Sequence, residues 1–295
     1  MKADEATGIV SSYVRLTKPR IIELLLVTTV PAMILAERGL PSLWRIAATL
    51  LGGSLSAGGA NAINQYLERD IDLMMARTRR RPLPAHLIEP ERALAFGIGL
   101  GVAGFAWLAL TVNLLSAALA LSALLFYVLV YTAWLKRRTP QNIVIGGAAG
   151  AVPVLVGWAA VTGRVGLPAW ILFAIVFTWT PPHFWALSLR YQRDYAAAGV
   201  PMLPVVAGPE ATGRQILAYS YALVAVSLLL YPFGHTGLLY PVAALGLGGL
   251  FVKGALRLRR KATPAAAIGL FRYSIVYLAL LFGAVALDTI IRFGL

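Results

Sequence analysis

The sequence predicts an all-helical integral membrane protein, and three observations predict it. Of 295 residues, 59% are hydrophobic and 13% charged, against roughly 25% charged in a soluble domain. That is too little charge to cover a water-facing surface of this size. Apolar stretches recur at the ~20 residues a helix needs to cross a bilayer core. The basic residues, which leave a net charge of +14, fall in the short segments between those stretches. This placement assigns the charge to membrane topology rather than to nucleic-acid binding.

Nine spans are expected, at about 21–37, 43–64, 93–112, 114–134, 141–162, 167–189, 215–233, 237–256 and 270–291. Residues 1–20 form a cytoplasmic N-terminal segment. No small-residue cleavage site follows a short apolar core, so the first span reads as retained rather than as a signal peptide. With the N-terminus inside, 22 Lys and Arg lie in inside segments and four, Arg38, Arg45, Arg164 and Arg292, lie outside. A wrong span count would scramble that bias. The expected topology is therefore a multi-pass cell-membrane protein, N-terminus cytoplasmic and C-terminus outside. One transmembrane domain covers 21–293, with long cytoplasmic loops at about 65–92 and 190–214. Long loops carry function more often than short ones. Cysteine is absent, which excludes disulfides, thiolate nucleophiles and thiolate metal sites.

The first long loop opens with a polar run from Asn61 to Arg81 that holds no Gly or Pro, so the second span is expected to continue as helix through its acids. Steps of four then put Asn64, Glu68 and Asp72 on one face and turn Asp70 away. An amide oxygen and two carboxylates without Cys or His are hard ligands, suited to Mg²⁺ or Mn²⁺ and not to zinc. Mg²⁺ held this way usually bridges to phosphates, which the arginines downstream are equipped to bind. A solvated helix end with a basic flank is the bland alternative, and it fits Arg79, Arg80 and Arg81 taken alone. It fits the three-residue face less well, because only 12 acids occur in the whole chain and polar groups beside lipid are costly.

A second polar run closes the sixth span: Trp179-Thr-Pro181-Pro182-His183-Phe184-Trp185, then Arg190, Arg193 and Asp194. The tandem prolines are expected to break or restart the helix near 181. Beyond that break, His183, Arg190 and Asp194 fall within about 40° of one another on a helix. His183 is either a packed core histidine or a ligand. Trp179, Phe184 and Trp185 are either an interfacial belt or the wall of a flat, apolar site. His86 and His235 read as solvated loop residues, and Glu23 and Asp288 as interfacial or locally paired.

Asn64-x3-Glu68-x3-Asp72 resembles the first aspartate-rich motif of the UbiA superfamily of intramembrane prenyltransferases, with Glu68 in place of the middle Asp and Gln65 where many members have Asp. At the second motif His183 and Arg190 stand where acids are usual, and Asp194 keeps the acid. Those departures resemble the heme-farnesylating branch. So do Leu16-Thr-Lys18-Pro-Arg20, Asp70-Ile-Asp72 with Arg77-Thr78 and Arg81-Pro82, and Ala198-Gly-Val-Pro-Met-Leu-Pro204. The similarity spans about 14–293.

The resemblance implies a nine-helix bundle with a cytoplasm-facing cavity. It implies transfer of farnesyl from farnesyl diphosphate to a vinyl of heme B, with addition of water, for terminal-oxidase heme synthesis. It makes heme B a substrate, Mg²⁺ or Mn²⁺ the cofactor, and a heme A synthase or oxidase-assembly factors candidate partners in the bilayer. The implied catalytic set is Asn64, Glu68, Asp72, Asp194, Arg77 and Arg190. Asn64, Glu68, Asp72 and Asp194 are the implied metal ligands. Lys18, Arg77, Arg81, Arg190 and Arg193 would hold the diphosphate, and His183 and Trp185 the heme.

Rival readings are a UbiA-type enzyme with a quinone-precursor or chlorophyll-like acceptor, a transporter, and a noncatalytic heme-binding assembly subunit. The His183 and Arg190 replacements argue against the first. Clustering of the polar groups at one membrane face argues against the second. The paired acidic motif argues against the third.

Overall fold

The computed structural model describes the backbone of residues 2–261 and 263–294, and the side chains of 8–19, 27–261 and 263–294. Lys2, Arg20 and Glu23 therefore lie outside the described side chains. The described residues form helices without strands: α1 (Lys2–Thr17), α2 (Pro19–Glu37), α3 (Leu43–Leu67), α4 (Arg69–Met74), α5 (Pro90–Thr111), α6 (Leu114–Leu125), α7 (Asn142–Thr162), α8 (Leu167–Arg190), α9 (Gln192–Ala197), α10 (Leu203–Val206), α11 (Gly208–Gly234), α12 (Leu239–Arg260) and α13 (Pro264–Phe293). A π-helical segment, Phe126–Leu135, continues α6. Start signals are local. The side chain of Ser42 caps α3 and that of Asn113 caps α6, while Pro19, Pro90 and Pro264 stand in first turns, where a missing N–H costs nothing.

Among the described residues eight helices are long and apolar enough to cross a membrane. They match the second to ninth expected spans. The first expected span falls on α2, of which Val27–Glu37 is described as apolar helix, and its residues 21–26 lie outside the described side chains. Apolar side chains cover the outside: Leu43, Leu110 and Val242 are largely exposed, as suits a surface solvated by lipid.

Neighbouring helices form a ring, α3–α5–α6–α7–α8–α11–α12–α13–α2, closed by α2 against α3, with α2 also packed on α7 and α13 on α8. The α3–α5 seam is tight because it is built on small residues. A Cβ at Gly59 would stand 2.6 Å from the Gly97 carbonyl oxygen.

Two expectations about the second motif are corrected. The helix does not break at Pro181 and Pro182, because α8 runs unbroken through both. The lost backbone donors are tolerated where neighbouring helices and hydroxyl side chains re-satisfy freed groups. Here both prolines are buried where α8 packs against α7, α11 and α13, and that packing keeps the helix whole. The continuous stripe ends instead at Tyr191, whose φ of −109° and ψ of 25° turn the chain into α9. Asp194 thus leaves the line of His183.

Candidate active site

A cavity of about 520 Å³ lies inside the ring, lined by α2, α3, α6, α7, α8, α13, Tyr195 of α9 and the loops beside them, and no residue of α5, α11 or α12. One end is polar, where α3 passes into α4. The backbone there keeps helical bonding across the joint: Glu68 N–H donates to Asn64 O at 3.0 Å and Asp72 N–H to Glu68 O at 2.8 Å. The expected common face results. Asn64, Glu68 and Asp72 are 2–3% exposed, whereas the Asp70 side chain is 60% exposed and pairs with Arg137.

Each side chain on that face meets a basic partner. Lys18 Nζ donates to Asn64 Oδ1 at 2.7 Å, Lys136 pairs with Glu68, and Arg81 Nη1 grips both Asp72 oxygens at 2.9 and 2.8 Å. Burial works to raise the Glu68 carboxyl, but Lys136 and Lys18 outweigh it and hold it below the usual carboxylate range. Burial also works against the Lys136 ammonium, and Glu68 outweighs that and raises it. The pair is therefore ionised. Lys18 is compensated less: burial, with Arg81 adding, outweighs the pull of Glu68 and Asp72 and lowers it to about 7.

Three devices position these cations. Asn61 and Gln65 on α3 donate to the carbonyls of Thr17 and Leu16 at 3.0 and 2.9 Å. They tie down the end of α1 and leave Lys18 in the left-handed region, φ 52°. The Thr78 hydroxyl donates to Asp72 O, which with the Arg81 grip folds the 75–81 loop back over the cavity. The π winding of α6 delivers Lys136, whose N–H reaches five residues back to Tyr131 O. The Thr132 hydroxyl accepts from Asn64 Nδ2 at 3.1 Å in the same segment.

Of the residues singled out in the sequence, Lys18, Asn64, Glu68, Arg77, Arg81 and His183 line the cavity. Asp72 backs the wall through Arg81. Arg190 and Arg193 are exposed and Asp194 half-buried, and none of the three lines the cavity. Arg190 stays close, sharing the Tyr191 ring with Arg77, at 5.9 and 5.6 Å. Trp185 is buried but packs edge-on against Tyr219 of α11, away from the cavity. Trp179 and Phe184, by contrast, are wall residues. His183 stacks on Trp179 at 4.2 Å, faces Phe271 at 4.7 Å, and shares a 2.6 Å hydrogen bond with Ser274 through Nδ1. Sequence reasoning missed Lys136, counted there among basic loop residues, and the stacked pair Tyr127 and Tyr131. Their convergence needs π geometry, which α-helical spacing does not signal. His86 and His235 are exposed loop residues, as expected. Asp288 accepts from the backbone N–H groups of Gly237 and Tyr240, a local structural pairing.

The chain's residues 25–286 match the model of the UbiA prenyltransferase family, and the chain belongs to that family. It is a multi-pass membrane enzyme of that fold. It is 58% identical over 284 residues to the protoheme IX farnesyltransferase of Parafrankia sp. (strain EAN1pec), covering 95% of this chain and 91% of the relative. It is 55% identical to that of Frankia alni, covering 96% and 99%. Among solved structures it superposes on a digeranylgeranylglyceryl phosphate synthase with a TM-score of 0.79 at 18% identity, covering 96% and 99% of the two chains. It superposes on a UbiA homologue of Archaeoglobus fulgidus bound to DMAPP and Mg²⁺ with a TM-score of 0.61 at 17% identity, covering 93% and 99%.

Proposed function

We propose that this enzyme transfers farnesyl from farnesyl diphosphate to a vinyl group of heme B, with addition of water, giving hydroxyethylfarnesyl heme and diphosphate. The observation that carries the reading is one cavity with two unlike ends: four cationic side chains around hard oxygen donors, and an apolar pocket walled by His183, Trp179, Phe184 and Phe271. The names of the relatives supply the farnesyl donor and protoheme acceptor.

The donors are hard oxygens, the chemistry that suits a divalent ion, and among the described residues no three acids or histidines cluster at one point. Asn64 and Glu68 present oxygens to the cavity and Asp72 follows one turn on, while Asp194 stands on α9. These residues would hold Mg²⁺, which when bound neutralises charge on the diphosphate. Lys18, Lys136, Arg77 and Arg81 stabilise the same leaving group as the allylic C–O bond ionises. Arg190 supports Arg77 from outside, and Arg193 adds basic charge at the entrance. The vinyl carbon of the porphyrin attacks the allylic cation, and water captures the cation left on the side chain, losing a proton. His183 seats the heme, its ring held by Ser274. The polar end is cytoplasmic, the N-terminus inside and the C-terminus outside. Exposed Trp44 and Trp170 toward one end and Trp134 toward the other fit interfacial belts. Assembly with oxidase-maturation proteins would follow from the product.

The test is incubation of purified protein with heme B, farnesyl diphosphate and Mg²⁺, followed by mass analysis of the heme. The expected product gains a farnesyl and a hydroxyl group. Unmodified heme from folded, substrate-loaded protein overturns the reading.

A further inference from the structure

The apolar part of the cavity follows one face of α3. Asn64, Ala60, Ala57, Gly53 and Leu50 all line it, in steps of four, three, four and three residues that keep one side of a helix. At ~1.5 Å per residue, Gly53 lies about 16 Å and Leu50 about 21 Å from Asn64 along the axis. An extended chain gains ~1.2 Å per bond, so the main chain of a farnesyl group reaches roughly 13 Å, of a geranyl group about 8 Å, and of a geranylgeranyl group about 18 Å. With the diphosphate at Asn64 taking the first few ångströms, a farnesyl chain ends beside Gly53.

The space at Gly53 is of a particular kind. Of the four glycines that line the cavity, two make room for a neighbour: a Cβ at Gly146 would stand 2.2 Å from the Tyr131 ring, and one at Gly147 3.0 Å from the Thr180 side chain, whereas Gly150 on α7, like Gly53, meets nothing within 4 Å. At Gly53 a Cβ would meet no atom within 4 Å. Helix packing does not require glycine there, and the volume left open belongs to the cavity. Thr49, the last α3 residue that lines the cavity, is 1% exposed, so the far end lies against buried protein.

We propose that Gly53 sets the length of the prenyl chain this enzyme accepts: the small residues of α3 seat the chain, its third isoprene unit lies against Gly53, and Leu50 marks its end. The proposal rests on the prenyl-transfer reading above but not on heme as acceptor.

The experiment compares geranyl, farnesyl and geranylgeranyl diphosphate on the purified full-length chain. It measures kcat/KM with heme B and, separately, Kd of each diphosphate without heme. Gly53→Leu should lower farnesyl relative to geranyl about tenfold or more, the discrimination a misfit of one or a few methylenes produces. Leu50→Ala should act in the opposite direction, raising geranylgeranyl relative to farnesyl. Gly99→Leu, on the exposed face of α5, should leave the ranking unchanged. An unchanged ranking in folded Gly53→Leu overturns the proposal, as does a loss of heme affinity alone. If Gly53→Leu does not fold, an unchanged ranking in Leu50→Ala overturns it instead. A wild-type chain that binds farnesyl diphosphate best yet leaves heme unmodified refutes the acceptor and leaves the ruler standing.

Discussion

The two polar motifs both reach the same cavity and are built in opposite ways. At the α3–α4 joint each residue of the motif face has a basic partner, Lys18 on Asn64, Lys136 on Glu68 and Arg81 on Asp72. At the α8–α9 joint His183 is held by aromatic rings and one hydroxyl, and no ion pair among the described residues involves Asp194. The first region concentrates positive charge around a few acids, which suits a diphosphate. The second offers a flat, apolar wall, which suits a macrocycle. A transferase for two chemically unlike substrates needs both in one cavity.

The largest effects should fall on the first region. Glu68→Ala leaves Lys136 buried without its counter-charge and should cost about 3–5 kcal/mol of stability, read as a lower melting temperature in detergent. Adding Lys136→Met should restore stability but not farnesyl transfer; restored transfer would break the assignment of both residues to the diphosphate end. Asp72→Ala should lower transfer by about 10²–10³-fold while heme titration stays normal. In the second region His183→Leu should weaken heme binding about thirtyfold, or ~2 kcal/mol, with the Kd of farnesyl diphosphate unchanged. A matching loss for both ligands would erase the division of labour. Asp194→Asn should raise the Mg²⁺ needed for half-maximal transfer about tenfold and leave the metal-free melting point unmoved. The smallest effect belongs to Asp70→Ala. Its exposed pair with Arg137 is worth less than about 1 kcal/mol, and transfer should persist, although Asp72 is two residues away.

Composition and charge placement determined the class of protein, because a bilayer demands apolar helices and a basic inside, and these are properties of residue counts. Helical spacing determined that Asn64, Glu68 and Asp72 share a buried face and that Asp70 does not, because the chain stays helical through the motif. Spacing failed at Pro181 and Pro182, where buried surroundings kept α8 intact against local propensity, and at Tyr191, where a turn took Asp194 off the stripe of His183. Tertiary structure alone decided which cation meets which oxygen. Lys136 reaches Glu68 across 68 positions through a π turn, and Lys18 reaches Asn64 because Asn61 and Gln65 hold the α1 carbonyls. Partners so distant in the chain leave no periodic trace. They are selected by which helices pack together, and the ring around the cavity makes that choice.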